Sequence, residues 1–316
     1  MWLVAENLAK FRSETLGEPG PGEVLVAAKF GAISRGTEAL VAAGAVPESE
    51  WSRMRAPFQA GEFPFPVKYG YATVGQIVGG DDARFGEWVF CLYPHQDRFV
   101  LPGEAAVRLS SDVPPERTVL AANMETALNV VWDAGILPGD DVAIIGGGVV
   151  GLLVAFIAAR IPATRTTVVD VNRDRAEVAH ALGLDFTTPA ELPHDCDVVV
   201  HASASEAGLA SAIEAAGLEA RIVEASWYGQ RAPNVPLGGA FHSRRLSIVG
   251  SQVGSLPAGR AVRWSHRRRL EAAMRLLADE RLDRLVTGET GFGELDSRYI
   301  DILADPATLC HRIRYD

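Results

Sequence analysis

The sequence predicts an α/β protein of two domains: a doubly wound parallel sheet in the middle, and a mainly antiparallel β unit built from the first part of the chain and its end. Two patterns predict this. From Asp141 a β-branched apolar run passes through a glycine turn into an apolar helix, DVAIIGGGVVGLLVAFIAAR, and strand-helix alternation continues to about residue 254. Residues 1–121 instead hold short strand-like runs, EVLVAAKFGAIS, TVGQIVGG, EWVFCLYP and RFVLP, separated by Gly, Pro and charged turns. Length agrees, since 316 residues with 48% hydrophobic and 22% charged side chains are many for one core and natural for two.

In the middle segment, 122–254, Gly146, Gly148 and Gly151 satisfy G-x-G-x-x-G between a strand and a helix. Missing β-carbons there permit the tight turn, close approach of a pyrophosphate and close packing of helix on strand, and the amides of Val149 and Val150 open the helix toward the phosphates. The next strand, TTVVDV, places Asp170 19 residues after Gly151, where a carboxylate accepts from a ribose diol and repels a 2′-phosphate. NAD(H) is therefore expected over NADP(H), with Arg173 and Arg175 placed to soften the preference. DRAEVAHALG follows as a helix, DCDVVVHAS as a buried strand, EAGLASAIEAAG as a helix closed by glycine, and ARIVEAS and RLSIVGSQ as strands. Together these make a Rossmann sheet. Ligands in such sheets lie beyond the carboxyl ends of the strands, which selects Ala202, Ser203, Ser226, Trp227 and Gln252; His201 reads as a structural histidine.

After residue 255 come the helix RRRLEAAMRLLADERL and a last strand, TLCHRIRY, expected to return to the first unit. Thirty basic against forty acidic residues give a formal charge of −10, and the one dense basic run is Arg267-Arg268-Arg269, which argues against a nucleic-acid partner. No run reaches the roughly 18 apolar residues needed to span a bilayer, and residues 1–12 lack a signal-like apolar core. A cytoplasmic protein with no membrane partner is expected. Cys91, Cys196 and Cys310 are scattered without CxxC spacing, so neither a disulfide framework nor a structural zinc lobe is expected.

The β-rich first domain, the GGGVVG turn and the short helix-strand return together resemble the medium-chain dehydrogenase/reductase superfamily, the alcohol dehydrogenase-like proteins with a GroES-like catalytic domain. The resemblance covers essentially the whole chain and implies hydride transfer to or from a nicotinamide cofactor, with a homodimer as the usual assembly. In zinc-dependent members a Cys and a His of two landmark stretches ligate the metal. Here those landmarks are GAISRGTEAL, with Ser34 or Arg35 at the cysteine, and KYGYATVG, with Gly70-Tyr71-Ala72 where Gly-His-Glu would stand. The third ligand would fall near Ala122, and Glu125 is out of register. The sequence thus looks like a zinc-independent branch, and the same two stretches are similar to the bacteriochlorophyllide a dehydrogenase subgroup; the substrate is not carried over.

Without a metal, hydrogen-bond donors must stabilise or protonate the reacting oxygen. Tyr71 stands at the lost histidine, and an ammonium from Lys68 nearby would lower its phenol's pKa. Thr37 matches the family's relay hydroxyl, and Arg35 a position that in some members reaches the pyrophosphate. His95 is a second candidate acid/base. Glu125 reads as a helix-capping residue beside an Asn123 N-cap, and His242 as a residue approaching the cleft. Residues 44–66, with Trp51, Phe58, Phe63, Phe65, Arg53 and Arg55, form either a packed surface loop or a lid over a bulky, partly apolar small-molecule substrate. The main reading is an NAD(H)-dependent interconversion of a secondary alcohol and its ketone. A quinone or enone reductase and a non-catalytic NAD(H)-binding protein are the alternatives.

Overall fold

The computed structural model describes all 316 residues. They divide into two units, Met1–Ala122 with Met274–Asp316, and Asn123–Ala273. The boundaries expected after 121 and 254 therefore fall after 122 and 273.

The second unit is built on six parallel strands. Numbered by chain order, Asp141–Ile145, Arg165–Val169, Asp185–Thr187, Cys196–His201, Ala216–Glu224 and Ser247–Gly250 lie in the order 3-2-1-4-5-6. That is the doubly wound arrangement, whose order reverses between the first and fourth strands. Both faces of this sheet are covered, so its central strands are continuous apolar runs: Val142 to Ile145 and Val198 to Val200 are all buried. The helix Val149–Ala158 packs on the sheet with seven of its residues buried. One expectation fails locally. The helix Glu206–Ala215 is not closed by glycine, because the chain turns extended at Ala216 and Gly217 enters the strand, its missing side chain leaving room for the Asp195 backbone 3.0 Å away.

The late boundary has a physical cause in Arg269. Arg267 pairs with Glu271 at the surface and Arg268 lies over the Trp264 ring, but Arg269 is 2% exposed. Its Nε donates to Glu125 (3.0 Å), and its other nitrogens reach the Asn129 side chain and the Val253 carbonyl. Helix His266–Leu276 thereby begins inside the second unit. The same contact corrects the capping role expected of Glu125. It is a buried residue in the body of helix Ala121–Ala134, and burial raises its carboxyl pKa although Arg269 pulls it down.

In the first unit one long strand, Glu23–Ser34, organises the sheet. It pairs antiparallel with Thr73–Gly79, with Arg98–Pro102 and with the C-terminal strand Cys310–Arg314, which returns here as the sequence predicts. Val286–Gly291 adds the one parallel pair of this sheet, on Cys310–Arg314. A four-stranded sheet, in the order 8–10, 2–5, 67–68, 60–61, completes the unit. Residues 44–66 are packed rather than loose: Phe63 is buried, Phe58 stacks on Tyr93, Trp51 donates to the Val46 carbonyl, and Arg53 and Arg55 pair with Glu50 and Glu62. The core of the unit also encloses Tyr69, Tyr299 and Tyr315.

Two stability measurements follow from these contacts. Arg269→Ala leaves the Glu125 carboxylate buried without its partner and should cost about 3–5 kcal/mol in urea unfolding, whereas Arg267→Ala should stay within about 0.5 kcal/mol. The phenols of Tyr69, Tyr299 and Tyr315 are pushed above their ordinary value of 10.0, by burial first and then by neighbours that include Glu38. Each binds its proton more tightly folded than unfolded. Their contribution is thus complete below pH 10 and lost as pH rises through the folded values, so the melting temperature should fall steeply above pH 10.

Candidate active site

At the carboxyl end of the first parallel strand the chain turns at Gly146, which has φ +117°. A side chain there would strike the Ser203 backbone at 2.7 Å, and one at Gly151 would strike the Gly146 carbonyl oxygen at 1.9 Å. The protein's own packing therefore requires these two glycines. Gly148 is different: it has φ −74°, is exposed, and a β-carbon built on it meets nothing within 4 Å. Nothing inside the chain asks for glycine at that point, so the open space it leaves at the N-terminus of helix Val149–Ala158 fits a group approaching from outside. The partly exposed Val149 and Val150 follow it in the first turn. A pyrophosphate suits this cradle of amides and positive helix dipole.

Asp170 closes the other side of the turn. Its carboxylate accepts from the amides of Gly147 (2.6 Å) and Asn172 (2.7 Å), which fixes it at the end of the second strand with lone pairs to spare for a diol. Arg175 is 7% exposed, and its Cβ lies 3.3 Å from where one on Gly147 would stand, which sets it beside the turn. Ala202 and Ser203 adjoin Gly146 at the point where strand order reverses. Ser226 accepts from the Ala204 amide, and Trp227 beside it is partly exposed. Gln252 accepts from the Gly254 amide within its own loop, and His242 lies exposed. Arg35 belongs to the other unit, where it donates to the Asp305 carbonyl.

In the first unit the landmark stretches meet in a polar cluster around Glu38, a carboxylate with no solvent exposure. It accepts from the Ser34 amide (2.8 Å), the Tyr299 hydroxyl (2.5 Å) and His95 Nε2 (2.8 Å). His95 is itself fully buried, packed against Gly70 and edge-on to Tyr299, so it orients Glu38 and does not meet solvent as an acid/base would. Tyr71, partly exposed, is hydrogen-bonded to the Ser34 and Thr37 side chains. Burial and then Glu38 raise its phenol to about 12, against the lowering effect of the two hydroxyls.

This corrects the expectation for Lys68. Its ammonium donates to Glu14 (2.8 Å) and Gln96 (2.6 Å) and lies over the Trp2 ring. Held in that network, the ammonium does not lower the Tyr71 phenol, whose neighbours are Glu38, Ser34 and Thr37. Tyr71 is accordingly a hydroxyl donor at neutral pH and not a phenolate.

The donor chemistry at the landmarks does not suit zinc. The Ser34 and Thr37 hydroxyls are each turned to Tyr71, Glu38 already receives three donors, and burial drives the Cys91 thiol up to about 12, far from a thiolate. No three His, Cys, Asp or Glu side chains are grouped to hold a metal ion.

Glu38, Tyr299 and Glu224 did not emerge from the sequence as site residues. Glu38 follows Thr37 in a helix's first turn, where an acid has an ordinary explanation in the helix dipole. Tyr299 lies 261 residues away, with no local signal of the contact. Glu224 did leave a trace, as the one charged residue at the end of the buried run IVE.

No family model matches the chain. Among characterised proteins, a D-guloside 3-dehydrogenase of Escherichia coli K12 is 25% identical over 286 residues, 81% of each chain. An L-threonine 3-dehydrogenase of Rhizobium rhizogenes is 28% identical over 115 residues, which span 36% of this chain and only 30% of that protein. Among solved structures, a protein of Sinorhizobium meliloti 1021 assigned as a zinc-binding dehydrogenase, with NADP bound, aligns over 99% of this chain and 98% of its own at a TM-score of 0.77 and 18% identity. The chain therefore has the fold of the alcohol dehydrogenases, a Rossmann sheet with a mainly antiparallel β companion.

Proposed function

We propose that this chain is a nicotinamide-dependent oxidoreductase that interconverts a secondary alcohol and its ketone, prefers NAD(H), and works without a catalytic zinc. The cradle at Gly148 carries the cofactor part of this reading. An exposed glycine that the protein's own packing does not need, set between Asp170 and a helix N-terminus, suits a pyrophosphate-bearing dinucleotide. The matched proteins, dehydrogenases by name, support the reaction class. Preference for NAD(H) follows from the Asp170 carboxylate, which would repel a 2′-phosphate.

When bound, the nicotinamide supplies or takes up the hydride. The chain's own part concerns the oxygen. Tyr71 O–H donates to the carbonyl oxygen and stabilises the charge that develops there, while Ser34 and Thr37 hold the phenol in place and offer a path for its proton. A phenol raised to about 12 serves ketone reduction directly. Alcohol oxidation must deliver the proton onward to solvent, so its rate should climb with pH while reduction shows no Tyr71 ionisation below pH 10. The relative assigned as zinc-binding makes the metal the sharpest point of difference, and this chain's hydroxyl-rich landmark is what favours the metal-free route.

The decisive experiment is Tyr71→Phe assayed for ketone reduction with NADH: kcat should fall by about 10²–10³ with NADH affinity unchanged, and an unaltered kcat would remove Tyr71 from the chemistry. Chelation followed by elemental analysis tests the metal. Activity should survive, and one zinc per chain retained through mild chelation would refute the metal-free mechanism.

A further inference from the structure

Beside the glycine turn lies a second polar array that the proposed reaction leaves unused. His201 ends the fourth parallel strand with no solvent exposure, its Nδ1 2.7 Å from Glu224 Oε2 and its Nε2 2.7 Å from the hydroxyl of the exposed Ser203. Glu224 is held through both oxygens, with Oε1 accepting from the Ser226 amide (2.8 Å) and Oε2 also accepting from Tyr228 O–H (3.4 Å). Burial and the Glu224 carboxylate push the Tyr228 phenol up, which keeps it a donor. Ser203 Oγ lies 2.9 Å from Ser205 Oγ, which accepts from the Gly208 amide.

The sequence makes room for this array at a cost. Gly208 sits in the first turn of helix Glu206–Ala215, where alanine is the better helix former. A β-carbon there would stand 2.2 Å from Ser203 Oγ and 2.8 Å from His201 Nε2.

Donor and acceptor roles then follow in one direction. A carboxylate can only accept, so in the neutral ring the proton is on Nδ1, and Nε2 is left as an acceptor that takes the Ser203 proton. With its proton turned inward, Ser203 presents a lone pair outward, next to the Gly146 turn. We propose that Glu224 and His201 are positioning residues that hold Ser203 as a hydrogen-bond acceptor for the dinucleotide, receiving either a ribose hydroxyl or the carboxamide N–H. This rests on the reading of the crevice as a nicotinamide-cofactor site.

Glu224→Gln tests it without changing shape. The Ser226 amide keeps the new amide's oxygen, so its NH2 faces His201 Nδ1; the ring proton moves to Nε2, occupies a Ser203 lone pair and frees the Ser203 proton. NADH affinity, by fluorescence titration, should weaken about tenfold in Glu224→Gln and in Ser203→Ala alike, the loss of about one hydrogen bond. Nitrogen NMR of His201 should show the Nδ1–H tautomer in the wild type and Nε2–H in Glu224→Gln, which ties the loss of affinity to the turned Ser203 hydroxyl. ADP-ribose separates the two donors. An equal loss for it assigns the ribose hydroxyl, and a loss confined to NADH assigns the carboxamide. A wild type that binds NADH and a Glu224→Gln variant that binds it equally well, or a wild type with the Nε2–H tautomer, would overturn this proposal alone. A wild type that binds no dinucleotide would overturn the oxidoreductase reading and this proposal with it.

Discussion

The first unit depends on one buried carboxylate. Glu38 has no contact with water, and a carboxylate in that position needs protein donors in place of the lost hydration. Its partners come from three distant parts of the chain: the Ser34 amide at the end of the long strand, His95 beyond the next sheet strands, and Tyr299 from the returning C-terminal segment. Removing any of them would leave a buried charge short of a donor, so the carboxylate ties the C-terminal return to the landmark stretches. It also acts on the chemistry at a distance, because its field adds to burial in keeping the Tyr71 phenol protonated. The carboxylate that ties these segments together thus also adds to the burial that keeps the proposed acid protonated.

In the second unit close backbone approach does the equivalent work. Gly151 brings the helix against the Gly146 carbonyl, and Gly146 brings the turn against Ser203, which draws the ends of the first and fourth strands together at the crevice. Polar side chains then settle into the remaining space, Asp170 on two amides and Glu224 on His201, Ser226 and Tyr228. Both units place a carboxylate behind a hydroxyl, the buried Glu38 behind Tyr71 and the half-buried Glu224 behind Ser203. The outcomes differ because Tyr71 stays a donor while Ser203, with a histidine interposed, is turned into an acceptor.

The readings that went astray share a cause. Lys68 stands three positions from Tyr71 in the sequence, but Glu14 and Gln96 are better partners for an ammonium than a phenol is, and they arrive from elsewhere in the fold. Glu125 read as a helix-capping residue, but Arg269, 144 residues later in one basic run, is its buried partner, and the unit boundary moves with that contact. In each case the partner of a charged side chain was decided by tertiary neighbours.

By itself the sequence determined what is local and periodic: the parallel sheet and its order of elements, the glycine turn, the acidic residue at the second strand, the antiparallel unit and the C-terminal return. Those follow from backbone sterics and apolar spacing, which act over a few residues and leave a pattern in them. Only the tertiary structure decided which proton each polar group carries. Whether Tyr71 is an acid or a phenolate, whether His95 is a catalyst or a brace, and which way Ser203 turns its hydroxyl depend on burial and on partners up to 261 residues away. Such interactions fall off with distance in space and are indifferent to distance along the chain.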